Sequence, residues 1–151
     1  MPHTKDEDAR HVLYNDMPKP VKVDADASFV AQWDKIHLLR NDVKKALEIA
    51  RKEKTIGSSL DAKVRLHCTG ELYSFAKSVE SVLSSVLIVS QVEIEEGGQG
   101  TFKGEELADL SVTVSHAEGE KCARCWSYSH TVGSDPNHPD VCARCAAILN
   151  K

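Results

Sequence analysis

The residues with the clearest chemistry are four cysteines near the end of the chain, Cys122 and Cys125 in one Cys-Ala-Arg-Cys and Cys142 and Cys145 in a second. Sixteen residues separate the pairs. Two CxxC turns at this distance suit four thiolates closing a tetrahedron around Zn²⁺, because the two-residue gap aims both sulfurs of a turn at one point. Four protein ligands leave no open position for a catalytic water, so a single structural zinc is expected. A redox CxxC fits poorly, since the motif is repeated and has no thioredoxin-like strand before it. The total of five cysteines is odd and the opening MPHTKDEDAR has no apolar core, which argues against a secreted disulfide framework. His130 and His138 lie close to the motif, but four cysteines already fill the shell.

Zinc alone does not set a function, because ribbons of this type bind DNA, RNA or protein. Arg124 and Arg144 occupy equivalent places in the two turns, where they could reach phosphates. Trp126 and Tyr128 follow the first turn and could stack on a base or pack on the ribbon; composition favours packing for Trp126. Residues 118–151 hold few other apolar side chains, so the tail needs its metal to fold.

The elements upstream must position this tail. From Ser28 to Lys54, Phe29, Val30, Trp33, Ile36, Val43, Leu47 and Ala50 recur at steps of three and four, the mark of an amphipathic helix. Ser28 is the expected N-cap, and Gly57-Ser58-Ser59 the expected stop. The other faces carry Lys35, Lys44, Lys45, Arg51 and Lys52, while Arg40 falls in register with the apolar stripe. Three strands are read from alternation: Ala62 to Cys68, Val86 to Ile94, and Leu110 to Ser115. Leu72, Phe75, Ala76, Val79 and Leu83 mark a short helix between the first two strands, which implies a parallel pair. Cys68 points inward as a structural thiol.

The expected architecture is α+β: a small three-stranded sheet under two covering helices, followed by a C-terminal zinc ribbon. The expected boundaries are an irregular lead-in over 1–27, with a short helix near Asp6–Tyr14 and a Met17-Pro18-Lys19-Pro20 linker, then 28–117 and 118–151.

Composition bounds the rest. The chain has 151 residues, 41% hydrophobic and 28% charged, with a net charge of −4. No apolar run approaches a membrane span. Residues 28–68 carry nine Lys/Arg against five Asp/Glu, whereas residues 69–117 carry two against eight. An anionic partner is therefore expected to meet one side only.

Two stretches resemble a known family. Glu118-Gly-Glu-Lys-Cys-Ala-Arg-Cys-Trp-Ser-Tyr, then Val132-Gly133, then His138-Pro-Asp-Val-Cys-Ala-Arg-Cys resembles the C-terminal zinc motif of bacterial isoleucyl-tRNA synthetases. That family commonly reads EGEKCPRCW with His and Tyr next; Ala123 replaces its Pro and Ser127 its His, neither of them a ligand. The stretch from Ala46 to Val64 is similar to the helix-to-strand signature that ends the family's anticodon-binding region, and Arg40-Asn-Asp-Val-Lys44 to the segment before it. The resemblance favours a functional or fold-fixing role for Arg40.

The resemblance implies a C-terminal, tRNA-binding part of a much larger cytoplasmic, monomeric ligase. ATP and isoleucine would be handled elsewhere, because no HIGH-type or KMSKS-type motif is present. It implies tRNA contacts from Arg40, Lys44, Lys45, Arg51, Lys52, Arg124, Trp126 and Arg144, with no membrane partner. Two other readings of the ribbon are the finger tail of a DNA-repair glycosylase and a non-enzymatic interaction module. The first would need a catalytic N-terminal proline and a helix–two-turns–helix element, and neither is evident.

Overall fold

The computed structural model describes residues 10–17, 19–21 and 26–150. The expected lead-in is only partly within that range. Val12–Tyr14 form a 3-10 turn, while the proposed helix start at Asp6 and the linker residue Pro18 lie outside the described residues.

Helix α1 runs from Ala27 to Lys52. Its N-cap is Asp26, two residues earlier than the expected Ser28: the carboxylate accepts from the Phe29 N–H at 2.7 Å and from the Ser28 hydroxyl at 2.6 Å. The helix also stops before Gly57. Lys54 adopts φ +61, its N–H bonds the Arg51 carbonyl, and the Thr55 N–H bonds the Ala50 carbonyl. This is a Schellman closure with lysine in the place glycine usually takes. Ile36, Leu39, Val43, Ala46, Leu47 and Ala50 form the buried stripe, but Phe29 and Val30 are about half exposed because the first turns reach past the sheet.

The sheet has four strands rather than three, in the order β2-β1-β4-β3. Strand β1 (Ala62–Cys68) pairs in parallel with β2 (Gln91–Glu96) and antiparallel with β4 (Leu110–His116). The added strand, β3 (Phe102–Lys103), is two residues long and too short to show alternation. The parallel pair agrees with expectation, but the second strand begins at Gln91. Val86 and Ile88, read as strand from their spacing, belong to the end of a helix.

That crossover is two helices, α2 (Gly70–Ser78) and α3 (Glu80–Leu87), broken at Val79. The Ser78 hydroxyl donates to the Phe75 carbonyl at 2.7 Å, competing with the helical bond. Helix α3 ends at Ile88 in the left-handed region, φ +57, which turns Val89 back into the core. Leu72, Ala76, Leu83 and Leu87 join the α1 stripe and Ala62, Val64, Leu66, Cys68, Leu110 and Val112 in one buried cluster. The α+β class therefore holds, with three helices on one face of the sheet. Burial pushes the Cys68 thiol up to about 11, so it is an inert core residue.

A carboxylate lies inside this core. Asp42 on α1 is fully buried, and its carboxylate accepts the backbone N–H groups of Glu105, Glu106 and Leu107 at 3.0–3.2 Å. The β3–β4 loop is thereby fastened to the helix. Gly104 makes room for it, since a Cβ there would lie 2.7 Å from the Asp42 carboxylate and 2.4 Å from the Leu107 carbonyl. Asp42→Asn keeps the volume but turns an amide donor towards those N–H groups. It should cost about 2–3 kcal/mol in urea denaturation of the chain, with a smaller effect for a substitution at exposed Phe29.

Candidate metal centre

The tail after β4 holds two short strands, β5 (Glu120–Lys121) and β6 (Tyr128–Ser129), and one helix, α4 (Ala143–Leu149). The β5–β6 hairpin is tight because a Cβ on Gly119, at φ +88, would meet the Ser129 backbone at 2.5 Å. The first cysteine pair sits in the hairpin's turn, where the Cys122 N–H bonds the Ser127 carbonyl and the Trp126 N–H bonds the Cys122 carbonyl. The second pair is arranged differently: Cys142 caps α4 and Cys145 lies in its first turn.

These two supports bring the four sulfurs of Cys122, Cys125, Cys142 and Cys145 within 4.8 Å of one another. A tetrahedron with Zn–S bonds of about 2.3 Å has edges of about 3.8 Å, and Cys125 Sγ lies 3.9 Å from Cys142 Sγ. The donor set thus fits one tetrahedral zinc ion. Neither His130 nor His138 joins the group; His130 instead approaches Glu118 at 3.6 Å.

The surroundings act unequally on the thiols. Burial by itself would raise the Cys122 thiol, but the N–H groups of Cys125, Cys142 and Arg124 outweigh it and bring the thiol down to about 6. One of these donors, Cys142 N–H, lies 3.3 Å from the sulfur. Burial, followed by the surrounding thiols, pushes Cys142 up to about 11. Four thiolates this close need positive charge among them.

Outside the cysteines, the buried apolar side chains of this tail among the described residues are Val141 and Ala146, with Val132 partly buried. This cluster is separate from the sheet core. Contacts between the two are mostly polar. The Ser90 hydroxyl donates to the Leu60 carbonyl and accepts the Tyr128 N–H, while the Gln91 amide pairs twice with the Glu118 backbone. Lys63 reaches Glu118 at 2.8 Å, and the His116 and Tyr128 rings meet edge to face at 4.9 Å.

The basic residues fall into two groups. Arg40, Asn41, Lys44, Lys45, Arg51 and Ser59 help line an open groove of about 580 Å³ along α1. Arg40 also fixes the fold, its Nε donating to the Val86 carbonyl of α3 at 3.1 Å. Lys45 is paired with Glu105 at 2.8 Å, and Lys52, beside the groove, with Glu48 at 2.9 Å. Lys44 is exposed. The second group, Arg124 and Arg144, lies at the sulfurs: Arg124 Nη1 is 3.7 Å from Cys145 Sγ, and the Cys125 thiol holds the Arg144 guanidinium above its ordinary pKa. Trp126 is 63% exposed at φ +64, so it does not pack into the ribbon as composition suggested.

The one-sided charge expected from the sequence is only partly realised. Glu106 stands at the α1 groove and Glu105 pairs with Lys45, while Lys63 and Arg65 are neutralised by Glu93, Glu95 and Glu118 across the sheet face. These partners are about thirty to sixty residues apart in sequence, beyond the reach of a segment-by-segment charge count.

Comparison with known proteins agrees with this geometry. The family described as "Zinc finger found in FPG and IleRS" matches residues 119–148. The whole chain is 43% identical to the isoleucine–tRNA ligase of Caldanaerobacter subterraneus subsp. tengcongensis and covers 16% of it. It is 39% identical to that of Geobacillus kaustophilus, covering all of this chain and 18% of the relative. Over 90% of this chain it is 48% identical to that of Carboxydothermus hydrogenoformans, 14% of the relative. The chain therefore spans roughly a sixth of the length of these relatives, and the matches fit the zinc-ribbon region of the ligases. The finger alone would suit either namesake; similarity along the whole chain favours the ligase over a glycosylase tail. No described helix is long and apolar enough to cross a membrane.

Zinc titration of the reduced chain should saturate at one ion, and replacing Cys142 and Cys145 together should abolish it. Binding must displace protons, chiefly from Cys142, so affinity should fall as the pH is lowered through the neutral range. Chelation should remove hydrogen-exchange protection from residues 118–150 while β1, β2 and β4 keep theirs; simultaneous loss in both would show a shared core.

Proposed function

We propose that this chain, similar along its length to isoleucine–tRNA ligases, serves such a ligase by holding the anticodon arm of its isoleucine tRNA. ATP-dependent aminoacylation would take place elsewhere in the parent enzyme. The carrying observation is the α1 groove, which gathers Arg40, Lys44, Lys45 and Arg51 along one wall. A helical row of cations beside an open concavity tracks a phosphate backbone, and such contacts set register and orientation. Lys52 extends the row, although its pairing with Glu48 must be exchanged for a phosphate. Glu106 at the groove narrows the approach, so the backbone would follow the Lys44–Arg51 side.

The ribbon contributes a different kind of contact. An anticodon loop presents unstacked bases, and the exposed indole of Trp126 offers a face for one of them. Its left-handed backbone costs about 1–2 kcal/mol for a bulky residue, yet projects the ring outward. Arg124 and Arg144, both exposed, have N–H groups left for phosphates. Zinc, held by Cys122, Cys125, Cys142 and Cys145, would act structurally by keeping this small unit folded. The contribution to the reaction is positioning: a tRNA held at one end presents its acceptor end in productive geometry. On this reading the protein works as a monomer in the cytoplasm, with tRNA as partner and no membrane.

In the full-length enzyme, Lys44→Ala and Arg51→Ala should each raise the KM for tRNA. Each should also lower the log–log salt slope of tRNA binding by about 0.7–0.9. ATP–pyrophosphate exchange, which needs no tRNA, should not change. Trp126→Gly relieves the backbone, so thermal stability of the zinc-loaded chain should hold or rise while tRNA affinity falls by about 1–3 kcal/mol. Unchanged aminoacylation after removal of residues 118–151 would take the ribbon out of the mechanism.

A further inference from the structure

The two arginines of the repeated Cys-Ala-Arg-Cys do not point away from the metal centre as free phosphate ligands would. Arg124 belongs to the first pair, yet its Nη1 lies 3.7 Å from the sulfur of Cys145, the second cysteine of the other pair. Arg144 belongs to the second pair and interacts electrostatically with Cys125, the second cysteine of the first. Arg144 and Cys125 also line one cleft of about 410 Å³ between the ribbon and α3. The relation is reciprocal although the supports are unlike, one a hairpin turn and the other a helix start.

We propose that Arg124 and Arg144 are positioning residues for the metal, cross-bracing the two cysteine pairs and offsetting the charge of the thiolate group. This role depends on the zinc that the four cysteines are read as holding. Zn²⁺ with four thiolates carries a net charge of −2, and two guanidiniums supply the matching +2. Cys122 accepts the Cys142 N–H at 3.3 Å. The arginines add donors to Cys125 and Cys145, the second cysteine of each pair. A guanidinium presents five donors in a plane, so one edge can face sulfur while another faces solvent or a phosphate. The same side chains would then couple RNA contact to metal retention. Partners that hydrogen-bond to ligands are commonly worth about 10–100-fold in metal affinity.

The test uses the full 151-residue chain, reduced and loaded with zinc, with R124M, R144M, R124K and R144K. Lys77→Met on α2 serves as a charge-matched control. Zinc affinity is read by competition with a chromophoric chelator at one neutral pH and salt concentration. Each methionine variant should lose about 10–100-fold, and each lysine variant should recover part of it, keeping charge without the planar fork. In cobalt-substituted protein, the sulfur-to-metal charge-transfer band should move to lower energy when a thiolate loses its donor, a change that simple loss of stability would not produce. Zinc affinity within threefold of the parent and unchanged cobalt spectra in both methionine variants would overturn the proposal. If either variant fails to fold, the cadmium-substituted parent decides: scalar coupling between the metal and guanidinium protons is expected, and its absence refutes the brace. A parent chain that binds no zinc would refute the metal reading itself, a separate outcome.

Discussion

Strand β1 is the constraint on which the other elements depend. Ala62, Val64, Leu66 and Cys68 are wholly excluded from water, and the strand is paired on both sides, parallel to β2 and antiparallel to β4. A slip of one residue would turn Lys63, Arg65 and His67 into the core. The register therefore also fixes the opposite face, where Arg65 stands beside Glu93 and His67 beside Glu95. It sets the end of the sheet as well: Ala62 opposes His116 and Lys63 opposes Gln91. The chain leaving β4 therefore emerges next to Ser90 and Gln91, the residues that receive the ribbon.

The ribbon is placed by this edge but not built by it. Its own apolar cluster is too small to order some thirty residues, and its links to the sheet are mainly hydrogen bonds and ion pairs. Four sulfurs drawn together, with backbone donors and two arginines around them, take the place of a core. The physical division between the units is thus one of driving force: hydrophobic burial in the sheet, coordination in the tail.

Surface charge shows how the fold re-sorts what the chain order separates. The acidic segment returns to neutralise Lys45, Lys63 and Arg65, leaving the Lys44–Arg51 side of α1 as the open cationic strip. Exposed pairs of this kind contribute little stability; their effect is to decide which cations remain available. Trp126 follows similar logic, because a left-handed backbone keeps the indole at the surface although its residue type suits a core.

Cysteine spacing alone pointed to the four sulfurs that the fold gathers, since two tight CxxC turns have few other ways to satisfy four thiols. Period-3.6 and period-2 patterns likewise determined α1, β1 and β4, whose buried faces are long enough to register. Shorter or locally ambiguous elements were left to the tertiary structure. Val86 and Ile88 alternate like a strand but end α3, and Phe102–Lys103 pair only because β4 lies beside them. The helix stop fell at Lys54 rather than Gly57, because carbonyl partners at Ala50 and Arg51 outweighed the preference for glycine. Asp42 reads as a surface residue until the loop at Glu105–Leu107 folds over it. The crossing of Arg124 and Arg144 onto opposite cysteines was also invisible in the repeat. Spacing states which side chains share a turn, whereas contacts between turns exist only once both are packed around a common centre.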